Sequence, residues 1–297
     1  MGDGHWTTTA YNSYTTTAYG VDSTTFSTMD YSAQEVYTSH KLNKLLNPKN
    51  INRLCRDSKE HPYTIPVILA LDVTGSMGDA SVRVAQKLNE IMTTLYADDS
   101  IHDIEFCVMG IGDLAYDRAP IQMSQFESDI RIAEQLDKIY FEAGGGGNSY
   151  ESYSAAWYMG VNHCTLDCWN RGKKGIIITL GDELPNPYLP KNYLESVTGD
   201  SLQGDVDSKE LLKEAKEKFD IFHIAVNDNS TSYEWYKDKH DLDKEWKKFI
   251  GKNNYFVANL DNLANTIIHI IKNCQTVEEV IFSTPNLTVN NNSEVTW

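Results

Sequence analysis

An acid and two alcohols stand at alternate positions in "LDVTGSMGD": Asp72, Thr74 and Ser76. In an extended or tightly looped backbone, such positions share one side. The three side chains make a hard-oxygen set, which suits Mg²⁺, Mn²⁺ or Ca²⁺ and not zinc. With one protein charge among them, a bound cation stays electrophilic and open to an oxygen from outside. Gly75 and Gly78 give the loop conformational freedom. The helix expected from near Asp79 aims its positive end at the same region.

The elements around the loop follow from periodicity. "IPVILALD" is an unbroken apolar run of strand length, as in a strand buried on both faces. In "ASVRVAQKLNEIMTTLY", Val84, Leu88, Ile91, Met92 and Leu95 fall on one helical face. "IEFCVMGIGD", "KGIIITLGDE" and "FDIFHIAVND" are further buried strands, and "APIQM" is a short one. Helices are expected at 127–140, with Ile130, Ala133, Leu136 and Ile139 or Tyr140 inward, and in "YESYSAAWYMGVNHC". The chain closes with a helix ("DLDKEWKKFI"), a strand ("NNYFVAN") and a helix ("LDNLANTIIHIIKNC").

Alternating strands and helices imply an α/β fold: a doubly wound, mainly parallel sheet flanked by helices. Ligands of such sheets bind beyond the carboxyl ends of the strands. Those ends read Asp72, Asp113, Asp182 and Asn227–Asp228, an acidic edge. The expected plan is a Thr/Tyr-rich arm over 1–60, a domain over 61–274 and a tail over 275–297. A proline-bearing insertion at about 185–207 is expected to lie over the acidic edge. The arm repeats TTTAY, which suits an edge ribbon or a mobile segment. Residues 32–47 show weak helical spacing, and 205–248 alternate acids with lysines, as a solvated helical surface does.

A formal net charge of −16 over 297 residues argues against nucleic acid as a partner. No signal peptide and no membrane-length apolar run is evident, so a cytoplasmic protein is expected. The five scattered cysteines fit a reduced compartment. Cys164 and Cys168, beside His163, read as two thiols packing from one helix; zinc would need ligands absent at sensible spacing. "GGGG" at 144–147 lacks the Lys-Ser/Thr of a phosphate loop. Asp113 and Asp117 either support a metal or close a turn. No Ser-His-acid set appears, and the lack of a second acid two places after Asp72 argues against an aspartyl-phosphate phosphatase.

"DVTGSM" resembles the D-x-S-x-S signature of von Willebrand factor type A (vWA) domains, with Thr at the first hydroxyl position. The likeness covers about residues 62–273 in element order. It implies a metal-ion-dependent adhesion site on a doubly wound sheet, with Asp72, Thr74 and Ser76 as ligands, some through water. The family adds a Thr after a Gly-rich turn. Here that place is Gly147 or Asn148, so Asn148, Ser149 or Glu151 must substitute. The family's Asp after a later strand corresponds to Asp182, one or two places late. "RDSKEHP", "DVTGSM", "GGGGN..ESY" and "GDE" together are similar to a bacterial and phage subgroup with this domain.

The leading expectation is therefore a non-enzymatic binding protein. Its Mg²⁺ (or Mn²⁺/Ca²⁺), held by Asp72, Thr74, Ser76, Asp182 and Asn148, takes a carboxylate from an acidic side chain of a protein partner. The resemblance allows a setting with an ATPase of the AAA+ type. Two alternatives are a Mg²⁺-dependent phosphoester hydrolase, with Arg118 to grip phosphate, and a structural scaffold with a vestigial metal site.

Overall fold

The computed structural model describes residues 4–28, 41–77, 80–98, 101, 103–142 and 149–282. Asn148, the 144–147 glycines, Gly78, Asp79, the side chain of Val84, most of the 32–47 stretch and the tail beyond 282 lie outside that set. Six strands form the central sheet: β1 (Ile65–Asp72), β2 (Ile104–Ile111), β3 (Ile121–Met123), β4 (Gly175–Gly181), β5 (Phe219–Val226) and β6 (Tyr255–Ala258). Their order is β6-β5-β4-β1-β2-β3, parallel throughout except for β3, which runs antiparallel to β2.

This order reverses direction between β1 and β4. Chain connections from the two strands leave on opposite faces of the sheet, so a crevice opens beyond their carboxyl ends. Register aligns those ends: Asp72 is level with Ile111, Leu71 with Leu180, and Gly181 with Ala225. The acids that follow β1, β2 and β4 are thereby brought to one edge.

Both faces of the sheet are covered, which is why β1, β2 and β4 read as unbroken apolar runs. Alternation splits β1 cleanly. Val67, Leu69 and Leu71 face a core made with α1 (Thr8–Tyr19), α2 (Ser23–Thr28), α3 (Ala80–Tyr96), α4 (Arg131–Leu136) and α10 (Leu263–Phe282). Ile68 and Ala70 face a second core, made with α5 (Ser154–Asn162), α6 (Lys191–Thr198), α7 (Ser208–Lys218), α8 (Tyr233–His240) and α9 (Leu242–Ile250). Leu88, Ile91, Met92 and Leu95 of α3 are buried as their spacing requires. α4 is much shorter than the 127–140 pattern suggests, although Ala133, Leu136 and Ile139 are buried. Among the described residues, no helix is long and apolar enough to cross a membrane.

Several elements depart from expectation. The TTTAY repeats lie on a helix, α1, and form neither a ribbon nor a loose arm. Thr7 caps it by accepting from the Ala10 N–H, and Gly20 ends it at φ 75°. Packing overrides the strand preference of threonine: Trp6, Tyr11 and Phe26 are buried in the α3-side core. Trp6 Nε1 donates to Asn89 Oδ1 on α3 (3.2 Å), and Tyr14 and Tyr19 both donate to the Asp137 carboxylate.

Cys164 and Cys168 do not share a helix. Cys164 begins a short strand, Cys164–Leu166, parallel to Arg53–Cys55, and Cys168 sits in a 3-10 turn. Both are buried, and His163 is engaged by Ile51 O and Asp200. The 185–207 insertion begins at the acidic edge, where Pro185 pairs with Glu151. It leaves that edge at Leu184–Pro185, forms α6 and a two-stranded ribbon, and runs down the outside of α5. There Asp200 accepts from Tyr158 and pairs with His163.

Truncating the docked aromatic face of α1 should therefore cost core energy. Tyr11→Ala is expected to destabilise the fold by roughly 3 kcal/mol or more, read from the urea midpoint. An unchanged midpoint would mean that the amino-terminal helix is not part of the core.

Candidate functional site

Asp72 is the last residue of β1 and shares its side with Ile68 and Ala70, so its carboxylate points towards the start of α5. It is fully buried. Oδ1 accepts from the Thr74 backbone N–H (2.9 Å) and from Thr74 Oγ1 (2.6 Å). This local turn, typical of Asp followed by a hydroxyl residue, folds the loop back over the strand end. Thr74 Oγ1 lies 3.0 Å from Ser76 Oγ, and Ser76 Oγ donates to Asp182 Oδ1 at 2.9 Å. Asp182 Oδ2 accepts from the Ser232 N–H (2.6 Å), which ties it to the loop after β5. Asp72, Thr74, Ser76 and Asp182 thus form one continuous chain of oxygens across the β1/β4 switch point.

Tyr153 closes the other side. Its hydroxyl donates to Asp72 Oδ2 at 2.6 Å and accepts from the Glu183 N–H at 3.2 Å. It fits because residue 181 is glycine: a Cβ there would lie 2.0 Å from the Tyr153 hydroxyl. The ring is held edge-on to His223 and tilted against Trp246, and Trp246 Nε1 donates to the Glu183 carbonyl (2.9 Å). A packed aromatic group therefore fixes both the first acid and the backbone after β4.

Two further acids complete the site. Glu151 precedes α5 and Glu183 follows Asp182; they are 3% and 6% exposed. One oxygen of each, Oε2, is buried with no hydrogen-bond partner among the described residues. Burial, then the Asp72, Glu183, Asp117 and Asp113 carboxylates, push the Glu151 carboxyl well up. Burial, then Asp72 and Asp182, raise Glu183 to about 8. Burial also raises Asp72, with Asp182 adding to it, and raises Asp182 itself. Crowded buried carboxylates destabilise one another's charged forms unless protons or a cation intervene.

The donor chemistry fits a hard divalent cation. Two carboxylates and two hydroxyls converge, with two unsatisfied glutamate oxygens nearby. Among the described residues, no three His, Cys, Asp or Glu side chains form a ligand group by themselves. The hydroxyls are therefore integral to any such site. Glu151 was one of the residues that sequence allowed in place of the missing threonine. Glu183 was not anticipated, although the adjacent acids in "GDE" were the available signal. Asp113 closes its own turn, accepting from the Ala115 N–H (2.6 Å), and Asp117 accepts from the Asp113 N–H. Asp228 likewise closes a turn with Ser230. Arg118 is exposed, and its backbone N–H donates to Glu142 Oε1 at 2.7 Å.

No family model matches the chain, and no curated protein matches it. Solved structures do. The open form of the pilus adhesin SpaC from Lactobacillus rhamnosus GG is 12% identical, with a TM-score of 0.48 over 77% of this chain and 31% of that one. The vWF domain of the pilus tip protein Mfa5 from Porphyromonas gingivalis is 13% identical, with a TM-score of 0.44 over 79% and 98%. BatB from Bacteroides thetaiotaomicron is 15% identical, with a TM-score of 0.42 over 71% and 99%. The chain thus spans about a third of the length of the SpaC structure it matches. The fold is vWA-like: strand order, the helices on both faces and the D-x-T-x-S loop at the switch point carry that statement.

Two outcomes follow. Tyr153→Phe removes a charge-assisted hydrogen bond to buried Asp72 and should cost about 1.5–3 kcal/mol in thermal or urea unfolding. The pH response has a definite sign. Carboxyls raised by burial, Glu183 to about 8, make the folded state bind more protons than the unfolded state between the ordinary carboxylate range and the raised value. Their stabilising contribution is present in full at acid pH and is lost as pH rises through the raised value. In chelator, melting temperature should fall between about pH 5 and about pH 8. Mg²⁺ should raise it more at the higher pH, because protons compete with the cation. Equal increments at both pH values would contradict this account.

Proposed function

We propose that this chain is a metal-dependent protein-binding domain. Asp72, Thr74, Ser76 and Asp182 would hold a divalent cation, and a carboxylate from a protein partner would bind to it. The observation that supports this most is the single chain of oxygens joining Asp72 to Asp182 through two hydroxyls at the switch point. When bound, the cation supplies a local positive charge in a protein of net charge −16. The protein's remote charges are screened beyond about 8–10 Å at physiological salt, so the local charge governs recognition of an acid.

The residues have separable tasks. Asp72 is fixed by Thr74 and Tyr153 and would hold the cation near β1. Thr74 and Ser76 present neutral oxygens, which leave the cation's charge under-compensated. Asp182 would oppose Asp72 from β4 and connects the site to the loop that starts α8. Glu151 and Glu183 are placed to take part in the same site. Asn148 and the cytoplasmic setting stay part of this proposal, without further support.

Titration calorimetry with Mg²⁺ and Mn²⁺ tests the reading. We expect metal binding in the unaltered protein, with loss of at least tenfold in affinity for Asp72→Ala and for Asp182→Ala. No turnover of generic phosphoesters is expected with metal present. Turnover abolished by Asp72→Ala would establish the hydrolase instead, and absence of metal affinity would leave a scaffold.

A further inference from the structure

A groove begins beside the candidate site and runs between α7 and α9. Its upper part, about 490 Å³, is lined by Tyr150, Leu184 and Pro185, immediate neighbours of Glu151 and Glu183, and carries the acids Asp207, Asp241 and Glu245, so the basic character belongs to the lower part alone. It shares Lys209, Glu245 and Phe249 with a lower part of about 390 Å³. Both helices precede a strand of the parallel sheet, so they run against the strands. Their amino-terminal ends are therefore at the site edge and the groove leads away from it.

The lower groove is unlike the rest of this acidic chain. Lys209, Lys213 and Lys216 recur at helical spacing on α7, and Lys248 faces them from α9, against Glu245 as the one acid in the lining. The floor is apolar, from Leu212 and the half-buried Phe249. Lys213 and Lys248 pair with Glu210 and Glu245 at exposed positions, where such pairs are weak and exchangeable. Lys216 donates to the Ile250 carbonyl at 2.9 Å, and Lys174 reaches the Lys216 carbonyl, adding a further cation at the lower end.

We infer that the α7/α9 groove receives an extended acidic segment of the partner, with an apolar side chain on Leu212 and Phe249 and carboxylates on the lysines. The inference rests on the metal-site reading for its first contact. Charge complementarity chooses the occupant, and continuity with the Tyr150–Pro185 lip gives the path. An acidic segment can exchange with the weak exposed pairs of Lys213 and Lys248, whereas a basic one would be repelled from the lower part.

The test is fluorescence anisotropy with a fluorescein-labelled glutamate-rich peptide carrying one phenylalanine, in Mg²⁺ and in chelator. Lys213→Glu/Lys248→Glu should weaken binding about tenfold while Mg²⁺ affinity by calorimetry stays unchanged. The milder Lys213→Gln/Lys248→Gln pair should give a smaller loss in the same direction and guards against misfolding. No binding in Mg²⁺, or equal affinity in unaltered and lysine-substituted proteins, would overturn the groove. Binding that needs the lysines but ignores chelator and Asp72→Ala would keep the groove and remove the metal contact. Inorganic polyphosphate competing better than unlabelled peptide would show a general polyanion surface and overturn the peptide assignment.

Discussion

Buried carboxylates placed side by side are the constraint on which the rest of this structure depends. Asp72, Glu151, Asp182 and Glu183 are all nine-tenths buried or more at one edge of the sheet. Water would normally keep such groups charged and apart. Here the backbone forces them together, because register aligns the strand ends and the chain reverses between β1 and β4. The fold must then supply donors for each oxygen, or something positive from outside. It supplies donors to Asp72 and Asp182 and, among the described residues, none to one oxygen of each glutamate.

Aromatic packing keeps the imbalance in place. Tyr153, Trp246 and His223 form one group beneath the acids; the His223 and Trp246 rings are stacked at 3.7 Å. Burial pushes the His223 imidazole well down, so it adds no charge under the site. The group is apolar where it meets the core and polar where it meets Asp72 and Glu183. Position 181 must be glycine for the same geometric reason, so a backbone constraint on β4 and a side-chain donor from α5 are two aspects of one contact.

The central sheet was legible in the sequence because strands buried on both faces leave unbroken apolar runs. The meeting of Asp72, Thr74, Ser76 and Asp182 at one edge was legible too, because they end or follow such runs. What escaped was decided by tertiary packing. Threonine-rich α1 reads as strand until Trp6, Tyr11 and Phe26 find the core. The eight-residue spacing from Tyr11 to Tyr19, two helical turns, was the overlooked signal. α6 is only eight residues long, and its inward face of Leu194, Val197 and Thr198 is too short to stand out among the prolines and glycines around it. Cys164 looked helical by continuity with α5, but its pairing with Arg53 is non-local and leaves no trace in periodicity. Tyr153 is buried in the core, and nothing in its sequence neighbours reveals that its hydroxyl serves Asp72.

The two faces of the sheet also divide the molecule's surroundings. α1 and α2 dock on the α3 side, whereas α7 and α9 lie across the sheet from them. A linker, dye or solid support attached to the solvent side of α1 would hold the domain from behind. The acidic edge and the lysine-lined channel would then stay open to solution, and pulling on such a tether would load the α3 packing before it disturbed the opposite layer.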